Sequence, residues 1–345
     1  MRILLGMSGG LDSTYAARRL LDDGHSVEGA VIVMHSHTET DAARVAAEAL
    51  GIPLHIIPAE EQFDRCVVDC FVSEYRLART PNPCVVCNSD VKFRVLCDYA
   101  VAHGFDMIAT GHYASVRKIC ADTETRYALS VAKDVKKDQT YMLWRLPQDI
   151  LARLCLPLNN IEKETVRKDA REEGLLAADR EESQEICFIP SGDYAAFIEE
   201  RTEPSPRGNF IDADGKVLGE HQGIIRYTVG QRKGLGIAMG QRVFVTDINP
   251  ENNTVTLSPS DSYRRELSVS DMLFSAIEEP APGAVIQLFV KLRYLAPRVP
   301  CVLKYLGGGV CAVTLESAAR AVTPGQSAVF YDADGILIAG GFIEK

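Results

Sequence analysis

The residues whose types and spacing suit chemistry lie in three places: Ser8-Gly9-Gly10-Leu11-Asp12-Ser13, the pair Cys84 and Cys87, and Cys187. The first reads as an anion cradle. Gly9 and Gly10 admit backbone conformations closed to other residues. The turn therefore aims several N–H groups at one point, and a helix beyond it adds the positive end of its dipole. Phosphate suits such a nest. Neither the Walker pattern nor GxGxxG is present in this turn. The second place is Pro81-Asn82-Pro83-Cys84-Val85-Val86-Cys87-Asn88. Its prolines predict a stiff loop before a helix, leaving Cys87 near a helix N-terminus where the dipole favours thiolate. A zinc site would want a second pair at matching spacing, and the sequence holds none. Cys66 and Cys70 share a helical face and read as core.

The elements that must position these residues alternate. Residues 3–5 form a short apolar strand, and 14–21 a helix with Ala16, Ala17, Leu20 and Leu21 apolar. Strands at 27–33, 54–57 and 107–109 alternate with helices at 42–50, 63–78 and 88–103. This βα alternation predicts an α/β, doubly wound parallel sheet. Ligands bind such sheets at the carboxyl ends of strands. Residues 8–13, Met34 and Gly111 are therefore expected around one pocket. Further on, 114–119 and 126–132 suggest a hairpin and Lys137-Asp138-Gln139 opens a short helix. Residues 147–154 and 163–173 read as helical, and 185–189 as a short strand carrying Cys187. Glu203-Pro204-Ser205-Pro206 reads as a linker. Beyond it helical periodicity gives way to short alternating strands. The expected domains are residues 1–202, a central β-rich domain at 203–265, and a closed β-barrel at 266–345.

The 345 residues are 46% hydrophobic and 24% charged, the balance of a globular protein with room for two or three domains. No apolar run reaches the length of a membrane span. The chain opens on a core strand with no signal peptide, so a cytoplasmic protein with mostly reduced cysteines is expected. The net charge of −10 argues mildly against a nucleic-acid partner, although a local basic groove can act within an acidic protein.

Ser-Gly-Gly-Leu-Asp-Ser after a first strand resembles the PP-loop of ATP pyrophosphatases, which split ATP to AMP and pyrophosphate. Six further stretches extend the resemblance: residues 79–83; Cys87-Asn88 with Lys92-Phe93; 109–113; 137–139; Ser183-Gln184 with 186–189; and 228–232 with Gly234-Leu235-Gly236. Together, in this order, they are similar to tRNA-specific 2-thiouridylases. The resemblance implies ATP-dependent conversion of a wobble uridine to 2-thiouridine. It assigns ATP to Gly6, Met7, Ser8, Gly9, Gly10, Leu11, Asp12, Ser13, Met34 and Gly111, with Asp12 positioning Mg2+ and phosphate. It assigns the attacking thiol to Cys87 and a persulfide to Cys187, with a Cys87–Cys187 disulfide left after transfer. It carries contacts with the target base to Asn82, Pro83 and Cys84. Further tRNA contacts fall to His112, Lys137, Asp138, Gln139, Arg293, Tyr294 and Gln326. Arg226, Arg232 and Lys233 add local positive charge. A sulfur donor is also implied: a cysteine desulfurase, a relay protein or free sulfide.

The sequence departs from the family at Cys84, where many members carry Asp. A thiol is a soft metal ligand, so Cys84, Cys87 and Cys187 are also compatible with three ligands of a 4Fe–4S cluster. A different class of reaction, amide synthesis on a small carboxylate, would use the same glycine turn. It leaves Cys87, Cys187 and the two β domains without a purpose.

Overall fold

The computed structural model describes residues 1–120, 125–175 and 186–345. Ser183 and Gln184 lie outside them. The first strands are β1 (Arg2–Gly6), β2 (Ser26–Val33), β3 (Leu54–Pro58) and β4 (Met107–Thr110). The hairpin β5 (Ser115–Cys120) and β6 (Thr125–Ser130) follows, then β7 (Leu154–Cys155). Five of them make a parallel sheet in the order β3-β2-β1-β4-β7. Ile3, Leu4 and Leu5 are all fully buried. Leu4 faces one core with Ile32 and Ile108, while Ile3 and Leu5 face the other with Val31 and Ala109. A sheet covered on both faces needs such an unbroken apolar run. β1 ends at Gly6, paired with Ala30 of β2 and Thr110 of β4. The chain leaves β1 toward β2 on one side while β4 lies on the other, so a crevice opens above Gly6.

Three local expectations need correction. The helix carrying Cys87 does not begin at Asn88. It begins at Pro83, and Pro83–Val86, a π turn at Cys87–Lys92 and Phe93–Ala102 follow without a break. Asn82 caps it, its Oδ1 accepting from the Cys84 N–H at 3.2 Å. Proline at the first helical position loses no hydrogen bond, so Pro83 starts this helix rather than delaying it. Residues 186–189 form a turn closed by Ile189 N–H to the Ile186 carbonyl, not a strand. Leu154 and Cys155 pair with β4 instead of ending a helix.

After residue 202 the chain is almost all β. Strands β8 (Gly208–Ile211), β9 (Val217–His221), β10 (Phe244–Asn249) and β11 (Thr254–Ser258) form one sheet. A closed barrel follows, built from β12 (Tyr263–Phe274), β13 (Val285–Lys291), β14 (Val299–Gly307), β15 (Val310–Arg320), β16 (Ser327–Tyr331) and β17 (Leu337–Ile343). Period-two burial runs along β14, with Cys301, Leu303 and Tyr305 inward. The barrel docks on the α/β unit through Trp144, whose Nε1 donates to Ser327 Oγ at 2.9 Å. Gly340 makes room for it: a Cβ there would lie 2.5 Å from the indole. Among the described residues no helix is long and apolar enough to cross a membrane.

Candidate functional site

The glycine turn stands at the carboxyl end of β1. Gly9 has φ +70°, and a Cβ there would meet the Ala42 backbone at 2.3 Å, so only glycine fits. Gly10 precedes the helix Leu11–Asp22 without a side-chain cap. Ser13 Oγ closes the loop, accepting from the Ser8 N–H at 3.2 Å and donating to the Gly10 carbonyl at 3.1 Å. The helix N-terminus is thus left without a side-chain cap, the arrangement an anion requires. Met7 and Leu11 are buried in the core, which leaves only their backbone for a ligand. Gly111, after β4, packs on the same turn: a Cβ there would lie 2.7 Å from the Asp12 carbonyl carbon. Asp12 faces the turn with its carboxylate held by Tyr113 Oη at 2.9 Å and by Lys163 Nζ at 2.6 Å from each oxygen.

The thiols lie beside it. Cys87 is buried and its Sγ rests 3.6 Å from the Sδ of Met34, at the end of β2. Met34 therefore ties the carboxyl end of β2 to the Cys87 thiol. Cys84 and Cys187 are exposed, and no described cysteine is in a disulfide. Burial pushes the Cys87 thiol up to about 11, opposed by the positive charge of Lys92 and reinforced by the nearby Cys187 and Cys84. Burial also raises Cys187, with Cys84 adding to it and Lys92 again opposing. The expected dipole-stabilised thiolate is not what the fold provides. Cys87 sits a full turn inside its helix, and desolvation outweighs the dipole. Cys187 is placed by its neighbour Phe188, which packs among Phe63, Phe71 and Phe197 at ring distances of 5.3–5.5 Å.

The remaining predicted contacts fall on two surfaces. Asn82 lies above the thiols, its Nδ2 bonded to Met142 Sδ, with Pro83 beside it half-buried. Gln139 exchanges hydrogen bonds with the Tyr113 backbone, next to His112. Burial lowers His112 to about 3, so its imidazole stays neutral and suits a base edge rather than a phosphate. Asp138 is buried, its carboxylate bonded to Thr140 and Ala132 within its own loop, and Lys137 precedes it half-buried. Gln326 donates to the Thr80 carbonyl at 2.7 Å, clasping the barrel to the loop before Asn82. Arg79 reinforces that clasp with an ion pair to Glu344. Arg293 is exposed but bonds the Ala321 carbonyl at 2.6 Å, and Arg226 pairs with Glu199 at 2.5 Å, while Arg232 and Lys233 are exposed. Between residues 131–138 and the barrel a cleft of about 340 Å3 opens, lined by Lys136, Lys291, Tyr294, Arg298 and Tyr331. Asp138 and the apolar Val131, Val135, Leu295, Ala296 and Pro297 complete the lining, so three cations and two tyrosines stand beside one carboxylate.

Family models cover most of this architecture. The tRNA methyl transferase HUP domain matches residues 1–191, the tRNA methyl transferase PRC-barrel domain 195–259, and the aminomethyltransferase β-barrel domain 264–343. The chain is 42% identical to the tRNA-specific 2-thiouridylase of Acetivibrio thermocellus, over 99% of both chains. It is also 42% identical to that of Carboxydothermus hydrogenoformans, over 100% of this chain and 98% of the relative. The Clostridioides difficile protein of the same name is 38% identical over 100% and 98%. The chain belongs to the tRNA-specific 2-thiouridylase family.

Among the described residues no three His, Cys, Asp or Glu side chains are grouped to hold a metal ion. Cys84, Cys87 and Cys187 form no such group, and the Cys87 Sγ lies 3.6 Å from the Sδ of Met34. Three residues escaped the sequence reading of this 2-thiouridylase. Tyr113 and Lys163 bind Asp12, and Lys92 places a cation near both Cys87 and Cys187. Tyr113 and Lys92 stood inside motifs already singled out. Lys163 had one signal, a cation at the start of a helix, where the dipole disfavours it.

Proposed function

We propose that this protein thiolates C2 of the wobble uridine of tRNA through a uracil adenylate and a cysteine persulfide. The uracil O2 attacks the α-phosphorus of ATP, bound as its Mg2+ complex, and pyrophosphate leaves. The glycine turn takes the pyrophosphate end. Cys187, as thiolate, attacks the outer sulfur of a persulfide donor, carries it as Cys–S–SH and releases the donor as its thiol. Cys87 gives up its proton and attacks the Cys187 sulfur, releasing hydrosulfide and forming a Cys87–Cys187 disulfide. The hydrosulfide attacks C2, and AMP departs with the original oxygen. A dithiol reductant then restores both thiols.

One observation carries the reading: Cys87 lies against Met34 at the carboxyl edge that also holds the glycine turn. Activated base and sulfur can meet there without either reagent crossing the protein. Asn82, Pro83 and Cys84, at the start of the helix that carries Cys87, would receive the base, and the cleft beside Tyr294 would take the tRNA backbone. Incubation with unmodified tRNA, MgATP and a persulfide donor, followed by nucleoside mass spectrometry, tests it. 2-Thiouridine and AMP should appear in equal amounts and vanish in Cys87→Ser and Cys187→Ser. Retention of activity in Cys187→Ser with the same persulfide donor would refute the relay.

A further inference from the structure

Asp12 poses an electrostatic problem. It stands in the first turn of the helix Leu11–Asp22, where the dipole welcomes an anion. The polyphosphate of a nucleotide is drawn to the same place, and a free carboxylate would repel it. Lys163 faces Asp12 with its Nζ 2.6 Å from both carboxylate oxygens. It is only 4% exposed, a rare state for lysine unless paired. It is also the first residue of the helix Lys163–Glu172, the end at which a cation is least welcome. A cation misplaced on its own helix thus offsets the Asp12 charge beside the anion cradle.

Simple docking of the two helices does not account for the pair. Tyr15 Oη already bonds Asp169 at 2.7 Å and Arg18 reaches Glu173 at 3.7 Å, both nearer the solvent side of the same helix–helix contact. Lys163 is moreover tied to the loop before Gln139. Its N–H donates to Asp134 Oδ2 at 3.0 Å, while Asp134 Oδ1 accepts from Lys136 and Lys137.

We propose that Lys163 is a positioning residue for the nucleotide: by neutralising and orienting Asp12 it admits the polyphosphate end of ATP to the glycine turn. The inference rests on the ATP-binding reading above and goes further by separating phosphate recognition from adenosine recognition. Loss of the charge should therefore weaken ligands in proportion to their phosphates.

The test is calorimetric titration of the full-length protein with MgATP, AMP and adenosine. Lys163→Met should weaken ATP at least tenfold and change AMP and adenosine less than twofold. Lys163→Gln keeps a hydrogen-bond donor but no charge and should behave like Lys163→Met, serving in its place if that variant does not fold. Lys163→Arg should keep ATP within about threefold of wild type. Thermal melts identify any variant that has lost its fold. Equal weakening of ATP and adenosine by the folded neutral variants would show a structural role and overturn the proposal. So would unchanged ATP affinity. Absence of ATP binding in the wild type would instead overturn the functional reading on which the proposal stands.

Discussion

The Cys87 thiol offers the sharpest test of the site, through its rate of alkylation against pH. Burial moves it from 9.0 to about 11. At pH 8 the thiolate fraction then falls from about a tenth to about a thousandth, roughly a hundredfold. A more basic thiolate is intrinsically more nucleophilic, and a Brønsted slope near 0.45 returns about eightfold over that interval. The net expectation is alkylation by iodoacetamide about tenfold slower than a small exposed thiol, before any steric protection. The shape of the profile matters more than its height. The rate at Cys87, followed by peptide mass spectrometry, should climb about tenfold per pH unit from pH 7 to 10 without levelling. Lys92→Met removes the cation that opposes the rise and should slow Cys87 further at every pH. A plateau below pH 8 would mean that Cys87 already exists as a thiolate, and the desolvation argument would be wrong.

Three further outcomes are expected. Gln326→Ala removes the hydrogen bond that holds Thr80, worth about 1 kcal/mol, so turnover should drop about fivefold while ATP affinity stays constant; an equal loss of ATP affinity would contradict this. Lys291→Ala with Arg298→Ala should weaken tRNA binding for every sequence and reduce the slope of log affinity against log salt by about 1.5; an unchanged slope in titrations from 50 to 200 mM KCl would remove the cleft from the tRNA path. His112 is held well below its usual range, so the stability it contributes is complete above pH 6.5 and is lost as pH falls toward about 3. The gap between melting temperatures at pH 7 and pH 5 should accordingly narrow in His112→Asn, and a gap as wide as in wild type would count against a buried neutral imidazole.

Local physics made part of this protein readable in advance. Residues 8–13 announce an anion cradle because glycine torsions and a helix dipole act within one turn of the chain. The parallel sheet followed from alternating apolar strands and amphipathic helices, and the barrel from period-two strands such as β14. The helix start at Pro83 was also written locally, in an Asn-Pro cap pair, but proline was weighed as a breaker when here it is a first residue. β7 is two residues long and is a strand only because β4 is there to pair with it.

What the sequence by itself determined is the kind of chemistry: a phosphate-gripping turn, three cysteines and the order of the motifs that join them. What only tertiary structure decided is the state of those groups. Burial raises the Cys87 thiol, the distant Cys187 adds to the shift and Lys92 opposes it. Asp12 is neutralised by a lysine 151 positions away. The loop before Asn82 is held by Gln326 from the far end of the chain. Torsional preference and periodicity act between neighbours in the chain and leave their mark on its spelling, whereas desolvation and ion pairing depend on whatever the fold brings near.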